Sequence, residues 1–346
     1  MSNNTIYRVL DAAANRATEG MRVVEDYCRF VLDDARLMKH AKELRHDFAA
    51  AIATLSHDDR HALRETQQDV GVEISTPAES TRIDAWDVCV ASSERVKQSL
   101  RSLEEFSKTV SPEIGTRFET LRYRWYTLEK SLTTTHTSRS RLSGVNLCVL
   151  IDARDSIEAF TKLVQKILDA GADMIQLRDK SSSDRELVER ASLLCKLKDS
   201  LPSPPLIIIN DRTDIAAATN ADGVHLGQDD LKVKEARAIL GPRKLIGVST
   251  HNIEQARAAV LDGADYIGVG PTFPSKTKSF DEFPGTDLLA EVAAEISLPS
   301  FAIGGITLKN LPKVLTTGIQ CVAVSTAVVS ADDPGAAVRA FNEMLP

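Results

Sequence analysis

Eight short apolar runs beyond residue 145 of this 346-residue chain end in residues able to hold an anion or a cation. In chain order the ends carry Asp152, then Gln176 with Arg178 and Lys180, then Asn210 with Asp211, then Gln228 with Asp230. Ser249 follows, then the loop GPTFPSKTKSF with Ser275, Thr277 and Lys278, then Gly304-Gly305 and Ser325-Thr326. Arginine can grip phosphate oxygens in pairs, and lysine acts on them as a point charge. Asp211 and Asp230 would repel the same oxygens unless a hard cation lay between. Mg2+ is typically held by one or two carboxylates together with substrate phosphates, so the set points to a magnesium-bound diphosphate. A solvated strand-end ion pair is the plainer reading of either acid alone. AIGGI and VSTAV offer small residues and backbone N–H groups to a second phosphate, although each pair alone is commonly a tight turn.

These ends can act together only if the runs lie side by side. The runs are NLCVLID, DMIQLRD, LIIIND, GVHLG, LIGVS, YIGVG, SFAIGG and CVAVS, with amphipathic stretches between them. That alternation marks βαβ units and a parallel sheet whose strands are covered on both faces. About eight strands in about 200 residues suit a (β/α)8 TIM barrel, whose active site lies at the C-terminal ends of the strands. A doubly wound open sheet is the alternative, but no Gly-x-Gly-x-x-Gly follows the first run.

Ahead of residue 140 the period is helical. Leu10, Ala14, Ala17, Met21, Val24, Cys28 and Val31 fall on one stripe of a long first helix. Further helices are expected from about Ala35 to Ser56, Ala85 to Thr109 and Pro112 to Leu132, with a turn-rich connection around DVGVEISTPAES. The stretch SLTTTHTSRSRLSG is polar and aperiodic and reads as a linker. The expected fold class is α/β: an all-α helical domain over 1–132, a linker over 133–144 and a (β/α)8 barrel over 145–346.

Composition narrows the function classes. A formal net charge of -7 argues against a general nucleic-acid or membrane-surface binder. The five cysteines, Cys28, Cys89, Cys148, Cys195 and Cys321, form no Cys-x-x-Cys pair, which disfavours a zinc site or disulfide framework and fits a reducing compartment. No apolar h-region opens the chain and no apolar run is long enough to span a membrane, so a cytoplasmic location is expected. Small-molecule substrates are the expected partners, with a homo-oligomer left open. Cys148 and Cys321 read as core fillers, His225 as a packed strand residue and His251 as a pocket-edge residue.

The pieces QLRDK, IIND, DGVHLGQDD, GVSTH, GPTFPSKTK, AIGGI and VAVSTAV occur in this order from about Val145 onward. Together they resemble the thiamine-phosphate synthases, (β/α)8 enzymes that join the pyrimidine and thiazole halves of thiamine phosphate. The resemblance implies that Gln176, Arg178, Lys180, Asn210 and Lys278 meet the pyrimidine diphosphate, with Ser249 also at the diphosphate. It implies Mg2+ at Asp211 and Asp230, Ser275 and Thr277 on a closing loop, and Gly305, Ser325 and Thr326 at the thiazole phosphate. Lys278, Arg178 and Ser249 would be the catalytic contacts. Ser275 stands where the family often has Thr, and Thr326 where it often has Ser, so both positions keep a hydroxyl. The implied chemistry is electrostatic: cations stabilise a departing diphosphate, and no protein nucleophile is needed. A thiazole tautomerase relative and a non-catalytic precursor sensor are the rivals; Asp211, Asp230, Arg178 and Lys278 favour the synthase.

In the helical part, Arg8, Asn15, Arg22 and Arg29 recur at heptad spacing opposite the apolar stripe, beside Glu19, Glu25 and Asp26. A solvated, salt-bridged face explains that pattern. Yet NRATEGMRVVEDYCRF, ELRH and DVG resemble a helical family found fused to the synthase and associated with phosphorylating hydroxymethylpyrimidine phosphate. No Gly-x-x-x-x-Gly-Lys-Ser/Thr loop is present, so a kinase site would have to use side chains such as Asn15, Glu19, Arg22, Glu25 and Arg45. A non-catalytic dimerisation domain is the alternative.

Overall fold

The computed structural model describes residues 3–64, 81–274 and 284–346, and the expected DVGVEISTPAES connection lies outside them. The chain divides into two compact units, Met1–Leu132 and Thr133–Pro346.

The first unit holds α1 (Asn3–Phe30), α2 (Ala35–Ile52), α3 (His57–Ala62), α4 (Ala85–Ser107) and most of α5 (Pro112–Arg141). Leu10, Ala14, Ala17, Met21, Val24 and Cys28 of α1 are buried. Val31 leaves the expected stripe: it lies past Phe30, where the helical period has stopped, and is 49% exposed. Gly20 lets α1 approach α4 closely, since a Cβ there would fall 2.7 Å from Val96 Cγ2 and 2.9 Å from the Ser92 carbonyl oxygen. Asp34 and Asp84 start α2 and α4 by accepting from the Leu37 and Asp87 backbone N–H groups.

The stretch expected to be a linker is largely helical, because α5 continues to Arg141 and its last turns belong to the second unit. Thr135, Ser138 and Leu142 continue a buried stripe whose polar members are small, so hydrophobicity alone concealed it. Ser138 Oγ donates to Asp265 Oδ1 at 3.1 Å.

The second unit then runs β1 (Leu147–Ile151), α6 (Ile157–Asp169), β2 (Met174–Leu177), α7 (Asp184–Lys198), β3 (Leu206–Asn210), α8 (Thr213–Ala218), β4 (Gly223–Leu226) and α9 (Val233–Leu240). It continues with β5 (Leu245–Thr250), α10 (Ile253–Asp262), β6 (Tyr266–Val269), α11 (Gly285–Glu295), β7 (Ser300–Ile303), α12 (Leu311–Leu315), β8 (Cys321–Val324), α13 (Thr326–Val329) and α14 (Pro334–Met344). All strands pair in parallel with their sequence neighbours and β8 returns to β1, closing the expected barrel. At the N-terminal end of the strands, Leu142 packs with Cys148, Met174, Ile208, Leu245, Tyr266, Phe301 and Ala323. This apolar layer floors the interior, leaving the opposite end for polar residues. Among the described residues no helix is long and apolar enough to cross a membrane.

Candidate active site

Side chains in a barrel strand alternate inward and outward. Two residues above Met174 and Phe301 stand Gln176 and Ile303, which the register sets level with Ile208 of β3 and Ala323 of β8. The next inward positions, Arg178 with Asn210 and Gly305 with Ser325, reach the mouth, as does Ser249 of β5, while His225 lies inward on β4 beside Gly247. Gln176, expected at the rim, is instead 4% exposed and sits one level below it. Thr326 opens α13 and is exposed. Ser275, Thr277 and Lys278 lie outside the described residues.

The β2–α7 loop carries Arg178 and Lys180 on either side of Asp179. Asp179 accepts from Ala153 N at 3.0 Å, from Ser181 N and Oγ at 2.7 Å each, and from Ser182 N at 2.9 Å. Burial opposes its charge, but these hydrogen bonds prevail and hold its carboxyl well below the usual carboxylate range. Asp179 was not singled out from sequence, although an Asp followed two residues later by Ser is a loop-turn signal. Asp152 pairs with Arg154 Nε at 3.2 Å, the plain ion-pair reading.

Asp211 follows β3 in a left-handed conformation, φ 60°, with its N–H donated to the His225 carbonyl at 2.8 Å. Asp230 is fixed by the Gly227 N–H at 2.6 Å. A Cβ on Gly227 would stand 2.9 Å from that carboxylate, so glycine suits the turn. Burial, then the hydrogen bond and charge of Asp230, push the Asp211 pKa up to about 6 against the pull of Lys180 and Arg178. Lys180 Nζ lies 3.9 Å from Asp211 Oδ2. The raised pKa shows that these cations do not fully offset the crowding of two carboxylates, and a hard divalent cation fits such a pair. Among the described residues no group of three or more His, Cys, Asp or Glu could hold a metal. Two carboxylates plus ligand oxygens are the donor set on offer.

Across the mouth, Gly304 and Gly305 adopt φ 102° and 63°. Added Cβ atoms would meet Pro271 Cα at 2.8 Å and the Pro274 carbonyl oxygen at 2.7 Å, so both conformation and crowding call for glycine. Asn310 pins the turn, donating to the Gly305 carbonyl at 2.9 Å and accepting from Thr307 N at 2.7 Å.

His225 is buried, as expected of a packed histidine, but is also wired to the mouth. Its Nδ1 lies 3.2 Å from the Tyr266 hydroxyl and its Nε2 2.9 Å from Ser249 Oγ. His251 Nδ1 is 2.6 Å from the Gly270 carbonyl oxygen, at the edge of the same end. Cys148 is buried in the floor and Cys321 packs against it.

In the first unit, Glu25 is buried and accepts from Arg45 Nε at 2.7 Å, with Arg22 Nη1 at 3.4 Å. Asn15 does not join them; it donates to Asp11 Oδ2 at 3.4 Å, and Glu19 is exposed. Sequence reasoning missed Asp11, which is buried among cations. Arg64 Nε and Nη2 donate to it at 2.7 and 2.9 Å, and Arg60 Nη1 lies 3.9 Å away. No periodic signal marks that set, because Asp11 lies on α1, Arg60 on α3 and Arg64 just beyond the end of α3.

Comparison with known proteins agrees with this geometry. The family model described as thiamine monophosphate synthase matches residues 147–328, and that of the ThiD2 family matches residues 8–131. A thiamine-phosphate synthase of Rhodopirellula baltica is 41% identical over 99% of this chain and 93% of its own length. One from Gloeobacter violaceus is 38% identical over 100% of this chain and 98% of its own. A solved structure of a thiamine phosphate pyrophosphorylase from Pyrococcus furiosus, 34% identical, superposes with a TM-score of 0.52, covering 58% of this chain and 95% of that one. With both the barrel's motifs and nearly its whole length shared with these enzymes, the chain belongs to the thiamine-phosphate synthase family of transferases.

Proposed function

We propose that the barrel joins hydroxymethylpyrimidine diphosphate to thiazole phosphate, releasing diphosphate and forming thiamine phosphate, with Mg2+ at Asp211 and Asp230. The observation that carries this reading is the placement of Asp211 and Asp230 beside Arg178 and Lys180 at the same end of the barrel as Gly305 and Ser325. Arg178, Lys180, Asn210, Ser249 and Lys278 hold the diphosphate, and Gln176 contacts the pyrimidine half from below. Gly305, Ser325 and Thr326 hold the thiazole phosphate, and Ser275 and Thr277 close over both.

In the reaction the CH2–O bond to the diphosphate breaks, its electron pair leaves with oxygen, and the ring electrons of the aminopyrimidine stabilise the carbon cation. The thiazole nitrogen lone pair then forms the new C–N bond. Bound Mg2+ supplies neutralisation of charge on the diphosphate oxygens. Arg178 and Lys180, together with Lys278, add positive charge where the leaving group becomes more negative, which lowers the barrier without a covalent enzyme intermediate. The five free cysteines, four of them buried, suit a cytoplasmic enzyme.

A second activity is favoured by the ThiD2 match over residues 8–131 and by the Arg22–Glu25–Arg45 cluster: phosphorylation of hydroxymethylpyrimidine phosphate by the helical unit. One experiment addresses both. Full-length protein is incubated with the pyrimidine diphosphate, thiazole phosphate and Mg2+, and thiamine phosphate is followed by mass. In a second arm the pyrimidine monophosphate and ATP replace the diphosphate. Asp211→Asn with Asp230→Asn should lower the first rate by about 100-fold or more, as should a chelator. Absence of product from folded protein, or product indifferent to both treatments, overturns the synthase site. A second arm that yields no diphosphate overturns the kinase.

A further inference from the structure

We infer that His225 is a positioning residue that, oriented by Tyr266, turns the Ser249 hydroxyl into a fixed hydrogen-bond donor toward the ligand. This rests on the reading that Ser249 meets the diphosphate.

The three residues lie on the neighbouring strands β4, β6 and β5, at successive depths inside the barrel. Tyr266 is part of the apolar floor, 3% exposed, and stacks edge-on against Phe301 with ring centroids 5.5 Å apart. Burial raises the pKa of its phenol well above the ordinary value, so the hydroxyl keeps its proton. A buried O–H needs an acceptor, and the ring nitrogen at 3.2 Å, His225 Nδ1, is that acceptor. A neutral imidazole that accepts at Nδ1 carries its proton on Nε2. The Nε2–H then donates to Ser249 Oγ at 2.9 Å. With one lone pair of Oγ engaged from below, the Ser249 proton is directed away from the ring, to the mouth. Diphosphate oxygens only accept hydrogen bonds, so this is the polarity they require. In the reverse arrangement the Tyr266 proton would have no acceptor among the described residues and the Ser249 proton would turn inward.

The backbone makes room for this chain of contacts at two places. A Cβ on Gly247 would lie 2.1 Å from Tyr266 Cζ and 2.5 Å from its hydroxyl, and one on Gly268 would lie 3.2 Å from His225 Cε1. Any larger residue at 247 would displace the tyrosine that sets the imidazole.

The test combines the tautomer with kinetics. Protein labelled with 15N-histidine is examined by NMR, with the His225 signals identified by their loss in His225→Gln. The wild type should show the Nε2–H tautomer, and Tyr266→Phe should show a mixture. Tyr266→Phe should lower kcat about ten-fold, the weight of one hydrogen bond to a charged group, with KM for thiazole phosphate unchanged. His225→Gln, whose amide can accept from Tyr266 and donate to Ser249, should recover most of the activity lost in His225→Ala. Thermal melts confirm that each variant is folded. An Nδ1–H tautomer in the wild type, full activity in Tyr266→Phe, or a glutamine no better than alanine overturns the inference. If any of these occurs while Ser249→Ala is impaired, the relay alone fails; full activity in Ser249→Ala removes the underlying reading of Ser249 as well.

Discussion

Arg178 and Lys180 project from a loop that one buried-side carboxylate organises. Asp179 ties that loop to the end of β1 through Ala153 N and closes its own turn through Ser181 and Ser182. Holding two cations in advance reduces the ordering that ligand binding must impose. Asp179→Asn keeps the size but replaces an acceptor oxygen with a donor facing backbone N–H groups. The KM for the pyrimidine diphosphate should rise about ten-fold with kcat altered far less, as expected from losing preorganisation. Steady-state kinetics with each substrate varied in turn checks this, and an unchanged KM would remove Asp179 from the positioning role.

At the scale of elements, the end of α5 and the barrel floor are one packing problem. Leu142, 6% exposed, belongs to one buried cluster with inward residues of β1, β2, β3 and β5 to β8, at the end of the barrel away from the mouth. Leu142→Ala should destabilise the second unit by roughly 2–5 kcal/mol through lost burial and the cavity left in a rigid floor. Denaturant unfolding followed by a barrel probe measures it, and a change below about 1 kcal/mol would mean the floor collapses onto the space. The eight strands were legible in the sequence because β-branched runs bounded by polar residues carry a local signal. The helical extension to Arg141 was not, since Ser131, Thr135 and Ser138 are buried yet polar. Ser131 Oγ returns its proton to the Thr127 carbonyl at 3.0 Å, and Ser138 finds Asp265. Ser131 and Ser138 can line a buried stripe because their hydrogen bonds are met within the fold, whereas the Thr135 hydroxyl has no partner among the described residues.

For the molecule as a whole, acid stability depends on carboxylates whose charge the fold favours. Asp11 is the clearest case in the helical unit. Burial opposes its charge, but Arg64 and then Arg60 outweigh that and lower its pKa below the ordinary value. A group with a depressed native pKa contributes stability that is complete above its unfolded value, about 4, and is lost as pH falls through the native one. Asp11→Asn should therefore cost roughly 2 kcal/mol near neutral pH, the scale of a charged hydrogen bond. The gap between wild type and variant should narrow as pH drops below about 4. Hydrogen exchange along α1 at several pH values follows the effect locally, and a gap independent of pH would show that the pair contributes only packing.

The sequence alone determined the parallel barrel, the helical region ahead of it, and which end of each strand carries the polar residues. Those properties depend on periodicity and on position within a run, both of which are local. It also placed Arg178, Lys180, Asn210, Asp211, Asp230 and Ser249 at one end of the sheet. Tertiary structure decided which of them touch. Asp211 meets Asp230 across the β3–β4 boundary, and Ser249, His225 and Tyr266 join over separations of 24 and 41 residues. Those contacts follow from the register of closure, His225 beside Gly247 and Ser249 beside Gly268. Register is a property of the whole sheet, set by packing on the floor beneath it, and no single strand encodes it.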